Sequence, residues 1–470
     1  MSRNAFDRMR LLLSLLVVLL LVPLLPTSAR AQASEPAGAD SVAFVGVNVV
    51  PMDREHVLAD HTVVVRGDRI VSVGPADAVE IPDGALRIQG AGHWLMPGLA
   101  EMHGHVPGGD DPAYLEDVLF LYVSNGVTTV RNMAGNAAHL ALRDRIARGE
   151  VLGPTLHAAS PWLSAQVAGT PEMASQIARD HHAAGYDLIK IGSVPHAAYL
   201  ALAETANAVG IPFGGHIPEE VGLPEALDAG QKSIDHFDRY VEFLVPDGVD
   251  TGERPRGFFG SGWVDLVDEQ RIAEAVQRTV ASGTWNVPTL SLVEHLASPE
   301  APEAMIAWPE MRYMPRRILE GWAQAKRDFS ARPDFQPEAT SRLVELRRRL
   351  LHDLHAAEAP IALGSDAPQF FNVPGFSIHH EMRMMAAAGL TPYEVLATGT
   401  REAGRYFGEA AGVGTIAPGQ RADLILVTAN PLVDLAHVER RAGVMVSGRW
   451  LPEDEIQARL EQIAANTSGR

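Results

Sequence analysis

His103-Gly104-His105 stands at the end of a short apolar run, Leu95-Met96-Pro97-Gly98-Leu99-Ala100-Glu101-Met102. In a strand, side chains alternate faces, so residues two apart point the same way. Two imidazoles at i and i+2 can then present nitrogens to one metal ion, and neutral imidazole suits zinc and its first-row neighbours. The pair alone is weak evidence. The chain has 18 histidines, and adjacent pairs such as His181-His182 and His379-His380 also occur. More weight comes from Lys190 in Asp187-Leu188-Ile189-Lys190-Ile191, from His216 and His236, each closing a short apolar segment, and from Asp366 in Gly364-Ser365-Asp366.

These groups need elements that place them together. From Leu99 onward, short apolar segments alternate with helical stretches. The predicted strands are 99–102, 126–130, 154–158, 187–191, 211–216, 233–236, 285–290 and 360–364. Strand–helix alternation implies a parallel sheet, and eight repeats imply an α/β fold of the (β/α)₈ barrel type. On that layout His103, His105, Lys190, His216, His236 and Asp366 all fall at strand C-terminal ends, where such barrels carry their chemistry. The connections 237–282 and 291–359 are long and lie on the face that shapes a substrate pocket.

Both ends of the chain are β-rich outside this run. Ser41–Val50, His61–Arg66 and Arg69–Val73 alternate, with Gly67-Asp68 as a hairpin turn, and 422–427 and 443–450 return to the pattern. These ends predict one small discontinuous β-sandwich, 34–97 plus 408–451, around a barrel of 98–407, with a helical tail at 452–470.

The first 33 residues read as a cleaved secretory signal. Arg3, Arg8 and Arg10 precede the Leu/Val run 11–25, and Ala31-Gln32-Ala33 fits a cleavage site after Ala33. The apolar run is shorter than the ~20 residues a spanning helix needs, so the expectation is a periplasmic or secreted protein with no membrane anchor after cleavage. There is no cysteine, and a chain of this length builds a core without disulfides. The net charge of −19 argues against nucleic acid as a partner. Assembly of identical copies is left open.

Of 39 basic residues only Lys190, Lys232 and Lys326 are lysine. In a chain this rich in arginine, a strand-end lysine suggests chemistry that arginine lacks.

The chain resembles the amidohydrolase superfamily, in its imidazolonepropionase-like, dipeptidase-type branch. The segments that carry the resemblance are 96–105, the single histidines on strands five and six, Asp366, and Gly412-Val413-Gly414-Thr415-Ile416-Ala417-Pro418-Gly419-Gln420-Arg421-Ala422-Asp423-Leu424. The resemblance implies one metal ion on His103, His105 and Asp366 and a second on His216 and His236. It also implies a carbamate, formed from carbon dioxide on Lys190, that bridges the two. Zinc is the favoured ion, although manganese, cobalt or iron accept the same ligands.

The implied reaction is hydrolysis of a C–N bond in an amide or dipeptide, a small-molecule substrate. A metal-bridging hydroxide attacks, and Asp366 serves as general base and then acid. The alternative is a one-metal cyclic-amide hydrolase or deaminase resembling imidazolonepropionase, with Lys190 unmodified. A binding protein that kept the barrel and lost catalysis is a third reading, disfavoured by the complete ligand set. Tyr240, Arg131 and His139 are candidate substrate contacts, and His295 is an outside candidate for the pocket.

Overall fold

The computed structural model describes residues 41–408 and 411–467. The expected signal at 1–33 lies outside them. The strands in chain order are β1 (Ser41–Val49), β2 (Leu58–Arg66), β3 (Arg69–Pro75), β4 (Leu86–Gln89), β5 (Trp94–Pro97), β6 (Leu99–Gly104), β7 (Val127–Asn132) and β8 (Thr155–Ala158). They continue as β9 (Leu163–Ser164), β10 (Ile189–Ser193), β11 (Phe213–Gly215), β12 (Ser233–Asp235), β13 (Trp285–Val287), β14 (Leu424–Val427), β15 (Arg441–Val446) and β16 (Arg449–Pro452).

The two chain ends share one eight-stranded sheet, ordered β16-β15-β14-β5-β1-β2-β3 with β4 also on β1. Antiparallel pairing of β5 with β14, Pro97 opposite Leu424 and Trp94 opposite Val427, joins them. Their period-2 alternation divides two apolar faces. Leu95, Leu424 and Leu426 pack with Phe44, Val63 and Met445, while Met96, Ile425 and Val427 turn to the large core around the parallel strands. Where a sandwich was expected, the hydrogen bonding is that of one continuous sheet.

The central part is a mixed α/β fold with parallel sheets, β6-β7-β8 and β9 through β13 in sequence order. Helices follow the strands, among them Pro112–Ser124 after β6, Ala137–Ala147 after β7, His196–Val209 after β10 and Ile272–Ser282 before β13. Backbone bonds join the C-terminal end of β8 to the residues just before β10, with Asp187 N to Ala158 O at 2.9 Å and Ser160 N to Leu188 O at 2.7 Å.

The eighth predicted strand, 360–364, forms only bridges. Ala362 N reaches Asn286 O of β13 at 2.9 Å, and Met102 N of β6 reaches Leu363 O at 2.8 Å. Two features keep it from a longer ladder. It begins at Pro360, which lacks an amide proton, and soon after it Asp366 turns left-handed at φ 65°.

The two long connections are helical. Between β12 and β13 lie Tyr240–Leu244, a 3₁₀ segment Phe258–Leu266 and Ile272–Ser282. After β13 come Leu290–Ala297, Arg316–Ser330 and the twenty-residue helix Pro337–Ala356. The predicted strand 285–290 ends at Val287 because Thr289 is left-handed, φ 46°, and a helix starts at Leu290. At the C-terminus the predicted helical tail is the helix Glu453–Thr467. Among the described residues no helix is long and apolar enough to cross a membrane.

Candidate metal centre

Strand alternation places His103 and His105 side by side at the end of β6, their rings 5.4 Å apart. Asp366 meets them from the eighth segment, held there by its amide on His103 O at 2.8 Å. One ligand atom from each of His103, His105 and Asp366 lies within 4.8 Å of the others. Asp366 Oδ1 is 2.6 Å from His105 Nε2 and 3.5 Å from His103 Nε2.

His236 and His216 stand next to this trio. The rings of His103 and His236 are 4.6 Å apart, and those of His216 and His236 stack at 4.8 Å. His236 Nδ1 is 3.7 Å from Asp366 Oδ2. His236 and Asp366 share a backbone device. Both are non-glycine residues with positive φ, 62° and 65°, a conformation that costs energy and concentrates at functional sites. It lets each chain end its strand and still aim a side chain inward.

Besides His105, which meets Asp366, three of the histidines have a ring nitrogen close to an oxygen from outside the ligand set. His103 Nδ1 is 2.7 Å from Asp235 Oδ2, His216 Nδ1 is 2.7 Å from Asp238 Oδ2 and His236 Nδ1 is 2.7 Å from Thr289 Oγ1. Such partners fix the tautomer and orientation of a histidine whose other nitrogen serves as a ligand. Burial lowers the pKa of His103 to about 4 and takes His236 well below the usual imidazole range, so both rings are neutral donors. Burial opposes ionisation of Asp366, but His103 and His105 hold its carboxyl below the usual carboxylate range.

Lys190 is fully buried at 1% exposure, and its Nζ has no hydrogen-bond partner. Burial lowers its pKa, although Asp235 and Asp366 work in the opposite direction. The indole of Trp162 lies 5.7 Å from Nζ. A buried, unpartnered amine is the form of lysine that can react with carbon dioxide.

The predicted substrate contacts are placed elsewhere. Arg131 is buried within the strands with every guanidinium nitrogen occupied: Nε on Met102 O, one NH₂ on Ser233 Oγ and Tyr406 Oη, and the other on both oxygens of Asp235 at 3.0 and 3.1 Å. It is an internal ion-pair residue. Tyr240 has 0% exposure, and its hydroxyl lies between Thr279 Oγ1 at 2.8 Å and Asn286 Oδ1 at 3.1 Å. It faces the packed side of its helix, and Arg239 before it is left-handed, φ 66°. His139 closes a capping box with Asn136 and reaches Asn132 at 2.7 Å and Pro107 O at 3.0 Å, fastening the segment that follows His105. His295 packs against Trp308 and His380, away from the trio.

Sequence reasoning missed Asp235, Asp238, Thr289 and Arg347. The flanks of His236, Asp235-His236-Phe237-Asp238, did carry a signal, since carboxylates beside a metal-type histidine are natural orienters. Arg347 carried none in sequence. From the helix Pro337–Ala356 it donates to the carbonyls of His236 and Pro288, clamping the turn that holds His236.

Glu101 is also buried here. It accepts from His103 N at 3.0 Å and from Ser365 N at 2.8 Å, tying the segments that bear His103 and Asp366. Beside His216 opens a cavity of 350 Å³ whose lining includes Trp162, Arg239, Arg256 and Phe259.

The sequence model of the amidohydrolase family matches residues 94–451. No match is found among curated proteins. Among solved structures, a putative prolidase from Bifidobacterium longum is similar at 24% identity over 90% of this chain and 99% of that one, with a TM-score of 0.66. A bottromycin amidohydrolase is similar at 21% identity over 91% of both chains, TM-score 0.68. A Xaa-Pro dipeptidase crystallised with methionine in its active site is similar at 19% identity over 88% of this chain and all of that one, TM-score 0.65.

Proposed function

The chain belongs to the amidohydrolase family, and from that premise we propose that it is a metal-dependent hydrolase of C–N bonds in amides or dipeptides. The observation that carries the reading is the convergence of His103, His105 and Asp366 on one point. On this reading β6, β7, β8, β10, β11, β12 and β13 with segment 360–364 are the eight strands of the (β/α)₈ barrel, and the eight-stranded sheet is the small discontinuous domain.

The residues fit divalent ions. The donors are neutral imidazoles and a carboxylate, the N/O set that zinc and its neighbours take, and the buried Lys190 amine without a partner fits a bridging carbamate. His103, His105 and Asp366 would hold one ion, His216 and His236 a second, with Lys190 between them. Bound there, the ions would supply Lewis acidity to the scissile carbonyl and acidity to water.

The protein's own groups do the rest. Asp366 is ionised and within 2.6 Å of His105 Nε2, so it can take a proton from the attacking water at a carboxylate oxygen and return it to the leaving nitrogen. Asp235, Asp238 and Thr289 keep the ring nitrogens of His103, His216 and His236 pointing into the site. The cavity beside His216 receives the substrate.

The test is a hydrolysis screen of dipeptides and N-acyl amino acids on metal-loaded protein, with the metal content measured alongside. Turnover that a chelator abolishes, together with about two equivalents of metal, is expected. Failure to cleave any C–N substrate at full metal loading would refute the assignment.

One observation favours the one-metal alternative, a cyclic-amide hydrolase or deaminase. Among the described residues, His103, His105 and Asp366 form the cluster of metal-type ligands within mutual reach, and His216 and His236 are outside it. A single equivalent of metal with turnover of a ring amide would select that reading.

A further inference from the structure

The cavity beside His216 has two aromatic walls that the hydrolytic chemistry does not require. Trp162 is 47% exposed, yet its indole is seated. A Cβ added to Gly192 would lie 2.2 Å from Trp162 Cε2 and 2.4 Å from Leu163 O, so the ring lies against bare backbone that only glycine allows. The same ring stands 5.0 Å from His216.

On the other side, Phe259 stands 5.6 Å from His236. It has a left-handed backbone, φ 48°, unusual for an aromatic residue. Gly260 beside it has φ 86°, and a Cβ there would lie 2.6 Å from Val241 Cβ. Phe258 packs on Phe329 at 4.9 Å, and the Arg347 guanidinium lies 5.5 Å from the Phe259 ring. Strained backbone held this firmly suggests a functional demand on where the ring sits.

The charged groups lining the cavity are already matched. Arg256 pairs with Glu219 at 3.0 Å, Arg239 with Glu242 at 2.5 Å and Asp238 with His216 at 2.7 Å. These pairs leave the cavity with little uncompensated charge to reward a charged substrate group, whereas an apolar group meets two rings ready to be covered. The volume of 350 Å³ is at the small end of the ~300–1,000 Å³ range of ligand pockets, which suits a capped amino acid or dipeptide.

We propose that Trp162 and Phe259 set the specificity of this pocket, and that the substrate carries a neutral, bulky apolar or aromatic group next to its scissile C–N bond. The proposal rests on the C–N hydrolase reading. It is tested by comparing kcat/KM for the N-acetyl amino acid amides of phenylalanine, leucine, glycine and aspartate in the wild type and in Phe259→Ala, Trp162→Ala, Phe259→Tyr and Trp162→Phe. The wild type should favour the phenylalanine and leucine substrates over glycine and aspartate by about tenfold or more, the scale of apolar pocket discrimination.

That ratio should fall toward unity in the alanine variants and persist in the aromatic replacements. An unchanged ratio, an equal loss on all four substrates, or a wild-type preference for glycine or aspartate would overturn the proposal. If no derivative is cleaved, the wider substrate screen decides the hydrolase reading, and binding still decides the pocket. N-acetylphenylalanine amide should quench indole fluorescence in the wild type and not in Trp162→Phe, whereas absence of quenching or equal quenching in both refutes the assignment.

Discussion

Replacing Asp235 by Asn keeps the shape of the side chain and removes its charge, and two neighbours should respond differently. Asp235 is fully buried. Burial opposes its ionisation, but Arg131 and His103 hold its carboxyl well below the usual range. Arg131 is likewise buried and gives both donors of one terminal nitrogen to Asp235. In the variant that guanidinium loses its counter-charge, and breaking a buried pair from one side costs about 3–5 kcal/mol.

The second neighbour is His103. An amide can offer N–H where the carboxylate oxygen stands 2.7 Å from Nδ1. The ring proton then moves to Nε2, the nitrogen facing Asp366. Loss of an orienting partner typically weakens a metal site by about 10–100-fold, or roughly 1.4–2.8 kcal/mol.

The two effects separate in the double variant Arg131→Met/Asp235→Leu. With the charge gone from both sides, most of the lost stability should return, while metal affinity stays low because leucine offers His103 no acceptor. Urea unfolding of the metal-free protein reads the first, and competition with a chromophoric chelator reads the second. Wild-type metal affinity in Asp235→Asn, or recovery of affinity together with stability in the double variant, would refute the orienting role.

Lys190→Met keeps much of the stem and removes the amine; activity should be lost with the second equivalent of metal, and short carboxylic acids should restore part of the activity of Lys190→Ala. Two equivalents and full turnover in Lys190→Met would reject the bridge. Asp366→Asn should lower kcat by about 10²–10⁴-fold with little change in the circular-dichroism spectrum, and surviving activity would remove it from proton transfer. Tyr240→Phe should cost about 0.5–1.5 kcal/mol of stability and leave kcat/KM little changed, because its hydroxyl is spent on Thr279 and Asn286; a large fall in kcat/KM at normal stability would return it to the pocket. Burial lowers the pKa of His295 from 6.5 to about 3, so the unfolded chain takes up a proton that the fold refuses, and stability falls as pH drops from about 6.5 toward about 3. His295→Phe should flatten that limb of the stability curve, and an unchanged slope in urea titrations across pH would refute the assignment.

What could be read in advance follows a physical division. His103 and His105 were legible because period-2 alternation fixes the relative direction of two side chains within one strand, whatever the rest of the chain does. His216, His236, Lys190 and Asp366 were legible as strand ends, since each closes an apolar segment bounded by turn-forming residues. Local pattern does not reach the direction of a side chain beyond a strand end. Tyr240, four residues after His236, points toward the pocket or away from it according to the backbone between them, and Phe237 and Arg239 both adopt positive φ there. Arg131 illustrates a second limit. An arginine in a strand can face substrate or a buried carboxylate, and the choice lies with Asp235, about a hundred residues further on. The same long-range dependence hid Arg347, which reaches the His236 turn from a helix after β13. Of the residues expected to touch substrate, Arg131 therefore braces Asp235 behind His103, and Tyr240 braces Thr279 and Asn286; the seating of Trp162 and Phe259 depends on Gly192 and Gly260 and on packing that no local spacing encodes.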